Sequence, residues 1–362
     1  MTNFSIRDLD WALISIALIL CGFGVLQIYS ATLDTVWEDA WWKQIVYIGI
    51  GLFLLWVFSQ IDYHWLLDRV PVLYGVSILL LLSVFAVGRS AMGAKRWITL
   101  PGGVQFQVSE FIKMVIILLV ARFLTELKVE ELEFKDMLKL GALVGVPTVL
   151  VLKQPDLGTS LTYLPPLAVG VFLAGLRWKY VVLVVVVAVV GLPIGWHFLK
   201  PYQKARLVSF MDPDRDPRGT GYQMIQSKIA VGAGGMWGKG VTKGSQTQLR
   251  FLPVPHTDFI FSAFAEEHGF IGVIVVLALY FVLIMQIVQN AQTAPDRAGM
   301  YICMGLAGLL LFHLLVNVGM VVGRMPVTGI PLPLMSAGGS AILSNFMLLG
   351  LVNNIRLRRF VN

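Results

Sequence analysis

Apolar residues fill ten long stretches of the chain, at 11–29, 42–58, 70–87, 106–124, 137–152, 161–176, 180–199, 259–288, 300–322 and 332–352, with polar residues gathered between them. A bilayer core about 30 Å thick takes about 20 helical residues to cross. Lipid offers peptide groups no partner, so such runs fold as helices. The pattern predicts an all-α polytopic membrane protein of about ten transmembrane helices, some shortened or interrupted by Gly and Pro. The first run lacks a basic lead-in and a small-residue cleavage site, and reads as a retained helix. On this reading residues 1–362 form a single transmembrane domain, with 200–257 as a long external loop between the seventh and eighth helices. That connection is too long for a simple turn, and irregular backbone there must cover a cavity or dip among the helices. A shorter segment, 125–136, spaces Leu127, Leu132 and Phe134 among charges and predicts a helix lying on the inner interface.

Composition sharpens this picture. Of 362 residues, 57% are hydrophobic and 14% charged, against roughly 25% charged in soluble domains, so no stretch remains for a soluble catalytic domain. The net charge of +7 is scattered between the apolar runs rather than gathered in one basic domain. That argues against nucleic acid and for anionic lipid or pyrophosphate as partner. Short loops rich in Lys and Arg stay cytoplasmic. An even number of spans then puts both termini inside, beside Arg356, Arg358 and Arg359, and the loop with Asp34, Glu38 and Asp39 outside. Arg89, Lys95 and Arg96 break the rule from an external loop, which marks an anion site. Cys21 and Cys303 both lie in apolar runs and make neither a disulfide framework nor a thiolate metal cage.

Candidate chemistry sits at the ends of the spans. Asp258 follows His256 and Thr257 where the eighth run begins, with Glu266 and Glu267 further in. Charges in spans are costly and mark function, and the helix dipole would keep a carboxylate at this N-terminus ionised. There it could take a proton from a hydroxyl or bind a divalent cation; the alternative is a plain N-cap. Lys95, Arg96 and Trp97 suit a pyrophosphate at headgroup level, or simple anchoring to lipid phosphate. Glu110 and Lys113, three residues apart, can pair on one helix face, with Lys113 placed to hold a phosphate and Glu110 to orient it or assist a metal. Gln154 and Asp156 belong to a turn built by Pro155 and Gly158. That turn would share the outer face with Asp258, where two carboxylates could hold one cation. His313 and Asn317, one turn apart, read as helix-packing polar groups. The cluster Gly232, Gly234, Gly235, Gly238 and Gly240 lacks nucleotide-binding spacing and reads as a flexible or closely packed external loop. No zinc-helix motif or nucleophile elbow is present in the sequence.

One ordered series of motifs spans nearly the whole chain. It comprises Lys95-Arg96-Trp97-Ile98, Gln107-Val108-Ser109-Glu110 with Lys113, the run from Lys153 through Asp156 to Thr159, and Gly221-Tyr222-Gln223 leading to Ser227. It continues with His256-Thr257-Asp258-Phe259-Ile260-Phe261, Asn317-Val318-Gly319-Met320, Thr328-Gly329-Ile330-Pro331, and Ser336-Ala337-Gly338-Gly339-Ser340. In order and spacing the series resembles the SEDS family of polytopic membrane proteins, and within it the elongation branch. The resemblance implies a peptidoglycan glycosyltransferase that polymerises lipid II at the outer face of the bacterial cytoplasmic (inner) membrane during cell elongation and rod-shape maintenance. It also implies release of undecaprenyl pyrophosphate, and work with a class B penicillin-binding protein and other membrane proteins of the elongation complex. Carried over residue by residue, it makes Asp258 the general base, alone or with a bound Mg or Mn ion, and Glu110 a second catalytic group. Lys95, Arg96, Trp97, Lys113, Gln154, Asp156 and Ser340 become substrate-binding residues.

The chain departs from the family pattern at Val108, where Pro is usual, at Val254, where Glu is usual, and at Ala337 and Ala341, where hydroxyl-bearing residues are usual. The first two do not touch Asp258, and at the last two a role for the missing hydroxyls is not carried over. Two readings from other classes stand beside the transferase. A lipid II flippase would want its charges near the bilayer midplane, and a non-catalytic scaffold for the penicillin-binding protein would use the same surfaces.

Overall fold

A computed structural model describes residues 9–91, 94–99, 105–127, 132–198, 201–219 and 221–359. In chain order the elements are α1 (Trp11–Thr32), α2 (Ala40–Gln60), α3 (Tyr63–Asp68), α4 (Val70–Val87), β1 (Arg89–Ala91), β2 (Ala94–Thr99), β3 (Gln105–Phe106), α5 (Val108–Glu126), α6 (Phe134–Lys153), α7 (Leu157–Leu161) and α8 (Leu164–Leu173). They continue with α9 (Trp178–Phe198), α10 (Pro201–Met211), α11 (Tyr222–Ala233), α12 (Ser245–Gln248), α13 (Ile260–Gln292), α14 (Arg297–Val321) and α15 (Gly339–Arg358). The architecture is that of an all-α polytopic membrane protein. Among the described residues six helices, α1, α2, α4, α13, α14 and α15, are long and apolar enough to cross a membrane. The other four apolar runs are helical too, in α5, α6, α7 with α8, and α9.

Helix α14 and helix α15 are buried along most of their length and form the centre, whereas α2 and α4 turn most of their residues outward. Close approach explains the small residues here. A Cβ on Gly350 of α15 would lie 2.5 Å from the Leu55 carbonyl oxygen of α2, and one on Gly51 would meet the Phe346 ring at the same distance. At one end of the bundle Asp10 caps α1 through the Leu13 amide, accepts from Gln286 and Asn290 of α13, and pairs with Arg356 of α15.

Three segments differ from the sequence expectation. Within the expected 200–257 loop, the described residues 201–219 and 221–257 carry the helices α10, α11 and α12. There α11 buries Met224, Ser227 and Ala230, spaced three apart on one face, and the Ser227 hydroxyl reaches Ser262 of α13 and the Val321 carbonyl of α14. The last apolar run begins as irregular chain, because Pro331 and Pro333 lack amide donors and Leu334 takes a positive φ of 68°. Helix α15 therefore starts only at Gly339. The expected interfacial helix over 125–136 is divided between the end of α5 and the start of α6, with 128–131 outside the described residues. A small antiparallel sheet in the order β1-β2-β3, which pairs Ile98 with Phe106 and Thr99 with Gln105, also had no counterpart in the hydropathy pattern. It carries Arg96 between α4 and α5.

Candidate active site

Asp258 lies at the opposite end of α13 from the Asp10 cluster. The cap position of α13 is Phe259, with no side-chain cap, so the N-cap alternative for Asp258 is not realised. Instead, three successive carbonyls are gripped from outside. His256 accepts from the Ala337 amide (2.9 Å), Thr257 from the Ser336 hydroxyl (2.8 Å) and Asp258 from Asn317 Nδ2 (3.0 Å). The gripping loop is itself held, since Gln44 of α2 donates to the Ser336 carbonyl and accepts from the Gly338 amide, and the Tyr280 hydroxyl donates to the Pro333 carbonyl. Helices α2, α13 and α14 thus converge on the backbone that presents this carboxylate. A Cβ on Gly329, whose φ is 74°, would stand 3.3 Å from Asp258 Oδ2.

Two guanidinium groups flank the carboxylate. Arg96, from β2, donates to the Pro155 carbonyl and lies 3.8 Å from Asp156. Arg206, from α10, reaches the Thr328 carbonyl at 3.5 Å. Burial pushes the Asp258 carboxyl above the usual carboxylate range; Arg206 and Arg96 pull it down, and Asp156 adds to the rise. Asp156 is a hub, capping α7 through the Thr159 amide and hydroxyl and accepting from Gln107 Nε2 at 3.1 Å. Asp156 thus belongs to the turn as its cap, and its charge acts on Asp258.

Other predicted site residues fall in closed contacts. Lys113 Nζ spends its hydrogens on both Glu110 oxygens (2.8 and 2.9 Å) and on His313 Nε2 (3.3 Å), and Lys113 and Glu110 are each 4% exposed. All three donors of Lys113 have partners inside the protein, so holding a phosphate would require this cluster to open. His313 Nδ1 faces the Pro331 carbonyl, so the ring donates there and presents the lone pair of Nε2 to Lys113. Gln154 is buried and donates to the Leu81 carbonyl, which ties α6 to α4. Ser340 accepts from the Gln107 amide, fixing the start of α5 against α15. Trp97 is half-buried on β2, and the side chain of Lys95 lies outside the described residues. Glu266 takes Lys239, the Gln246 amide and the Thr247 amide and hydroxyl, while Glu267 takes Ser30 and Gln27. Both fasten the 239–248 segment and α1 to α13.

Among the described residues no three His, Cys, Asp or Glu side chains converge on a metal position. Sequence reasoning missed Arg206. It sits on a helix 52 positions before Asp258, and no local motif separates it from the other cations of that segment.

The family model described as FTSW_RODA_SPOVE, cell cycle protein, matches residues 10–359. The peptidoglycan glycosyltransferase MrdB of Escherichia coli K12 is 41% identical over 352 residues, covering 97% of this chain and 94% of that protein. The peptidoglycan glycosyltransferase RodA of Treponema pallidum is 34% identical, covering 98% and 99%. A solved chain described under structural coordination of polymerization and crosslinking by a peptidoglycan synthase complex superposes with a TM-score of 0.84 at 34% identity, covering 98% of this chain and 99% of its own. The rod shape determining protein RodA of Thermus thermophilus gives a TM-score of 0.72 at 30% identity, covering 97% and 98%. With a family model matched almost end to end and near full-length relatives above 30% identity, the chain belongs to the SEDS family of FtsW, RodA and SpoVE proteins.

Proposed function

We propose that this chain is a peptidoglycan glycosyltransferase that polymerises lipid II at the outer face of the bacterial inner membrane during cell elongation. The observation that carries the reading is the Asp258 carboxylate, fixed by three gripped carbonyls and flanked by Arg96 and Arg206. Two near full-length relatives named peptidoglycan glycosyltransferases support it.

In the reaction, the Asp258 carboxylate removes the proton from the acceptor sugar hydroxyl, and that oxygen attacks the anomeric carbon of the donor. The bond from that carbon to the pyrophosphate oxygen breaks, and undecaprenyl pyrophosphate leaves with the bonding electrons. Negative charge grows on the leaving group, where Arg96 and Arg206 stabilise it more than in the ground state. A divalent cation, if the enzyme used one, would be held by the Asp258 carboxylate and would supply further positive charge toward the leaving group. The buried position of Asp258 keeps its basicity above that of a carboxylate in water, which favours proton abstraction. The Glu110, Lys113 and His313 cluster holds α5 and α14 together and acts as scaffold. A class B penicillin-binding protein crosslinks the product strand, and both termini face the cytoplasm.

The test is polymerisation of labelled lipid II in vesicles by the chain with a transpeptidase-blocked penicillin-binding partner, comparing wild type with Asp258→Asn at equal folded amount. Long glycan from wild type alone is the expected result. Equal polymerisation by both removes Asp258 as base. Lipid II crossing the membrane without polymerisation by either favours the flippase.

A further inference from the structure

Asn317 lies near the C-terminal end of α14 and is fully buried. Its amide nitrogen donates to the Asp258 carbonyl at 3.0 Å and to the Ile330 carbonyl at 2.8 Å. Both amide hydrogens are spent, and this fixes the orientation of the group, because the flipped form would set Oδ1 against two carbonyl oxygens. Oδ1 is then left without a hydrogen-bond partner among the described residues. A buried unpaired carbonyl is unfavourable, so the position keeps Asn for its two donors.

The geometry shows what those donors join. The 328–331 segment passes beside the Asp258 carboxylate, with Gly329 facing Oδ2. Its carbonyls are taken in turn by Arg206 at Thr328, Asn317 at Ile330 and His313 at Pro331. Of these three side chains, only Asn317 is hydrogen-bonded to Asp258 as well. Resting on the transferase reading above, we infer that Asn317 is a positioning residue for the reaction: its amide ties the backbone of Asp258 to the 328–331 segment and so sets the distance between the carboxylate and the Arg206 side. Asn317 touches neither substrate nor the reacting atoms; it acts through Asp258.

Misplacing a catalytic group by about 1 Å costs about a hundredfold in rate. Steady-state polymerisation of lipid II in vesicles by wild type, Asn317→Ala, Asn317→Leu, Asn317→Gln and Asp258→Asn, at matched folded amounts, tests the inference. Asn317→Ala lowers kcat by about ten- to a hundredfold while KM stays within about twofold. Asn317→Gln, which keeps the donating group, gives a kcat above that of Asn317→Ala. Should the cavity left by Ala stop the chain folding, Asn317→Leu fills the space without the donors and carries the same expectation. A kcat within about twofold of wild type, or a loss confined to KM, overturns the role. Asp258→Asn separates the two readings. If it polymerises like wild type, the base assignment fails; if it is inactive while Asn317→Ala and Asn317→Leu are fully active, only the positioning role fails.

Discussion

Asp258 is a carboxylate held where the protein makes its charge expensive. Burial raises its proton affinity in the folded chain above the ordinary value. Its contribution to stability is therefore complete at low pH and is lost as pH rises through the raised value. Near neutral pH the ionised form works against folding and for the reaction. Asp258→Asn at pH 7.5 is accordingly expected to melt at or above the wild-type temperature while losing polymerisation, a stability and activity trade-off readable from paired thermal and activity measurements. A lower melting temperature would show that Arg96 and Arg206 outweigh burial. In wild type, kcat should fall on acidification with a midpoint above that of an exposed carboxylate. A second residue-scale outcome concerns Lys113 and Glu110, where removing one member strands a buried charge. Lys113→Met is expected to destabilise by about 3–5 kcal/mol, and Lys113→Met with Glu110→Leu to recover most of that. Thermal melting of the two variants checks it; equal losses would mean that the pair makes no net electrostatic demand. The pair itself was legible from its spacing of three in a helix, but its closure by His313, 200 positions away, was not, because nothing local encodes which helix packs against which.

Helix α13 shows what one residue does to an element. At Gly269 the backbone takes φ 66° and ψ −168°, a region open essentially to glycine alone. The kink frees groups on both sides of it, and the glycine-rich segment takes them. Lys239 and Gly240 amides donate to the Glu266 and Glu267 carbonyls, and the Phe270 and Ile271 amides donate to Gly235 and Met236. Of the two alternatives for that glycine cluster, flexible or closely packed, the structure shows close packing, and its reason is this docking. A Cβ on Gly269 would fall 2.2 Å from the Gly238 amide nitrogen. Gly269→Ala is thus expected to destabilise by more than about 3 kcal/mol, seen as a lost melting transition or collapsed yield, whereas Gly232→Ala, with open space around it, should be tolerated. Equal behaviour of the two would refute the docking argument. Apolar periodicity located helices in all ten runs. It could not reveal α10 and α11, because a 12-residue helix that buries small and polar side chains against its neighbours carries no hydropathy signal. Arg206 was lost with them, and with it half of the positive charge around Asp258.

At the scale of the molecule, the chain closes on itself. The Asp10 backbone amide donates to Asn353 of α15, its carboxylate pairs with Arg356, and Gln286 and Asn290 bring the far end of α13 to the same place. The start of the first long helix and the end of the last one therefore share one face of the bundle, while Asp258 opens α13 at the other. A chain that begins and ends on one side of a membrane crosses it an even number of times. In the proposed orientation the short basic segment with Arg356, Arg358 and Arg359 is retained in the cytoplasm, and the Asp258 end then points outward together with the acidic Asp34, Glu38 and Asp39 loop. Single cysteines at Asn3, Trp37 and Asn362 turn this into a measurement, because Cys21 and Cys303 are buried and Trp37 is exposed. In intact inner-membrane preparations with the outer face accessible, a membrane-impermeant maleimide should label Trp37→Cys at once, and Asn3→Cys and Asn362→Cys only after permeabilisation. Labelling of one terminus and not the other would require an odd number of crossings and break the link between the Asp10 clasp and topology. Labelling of both termini before permeabilisation would invert the protein and place Asp258 on the side where a growing wall strand has no access.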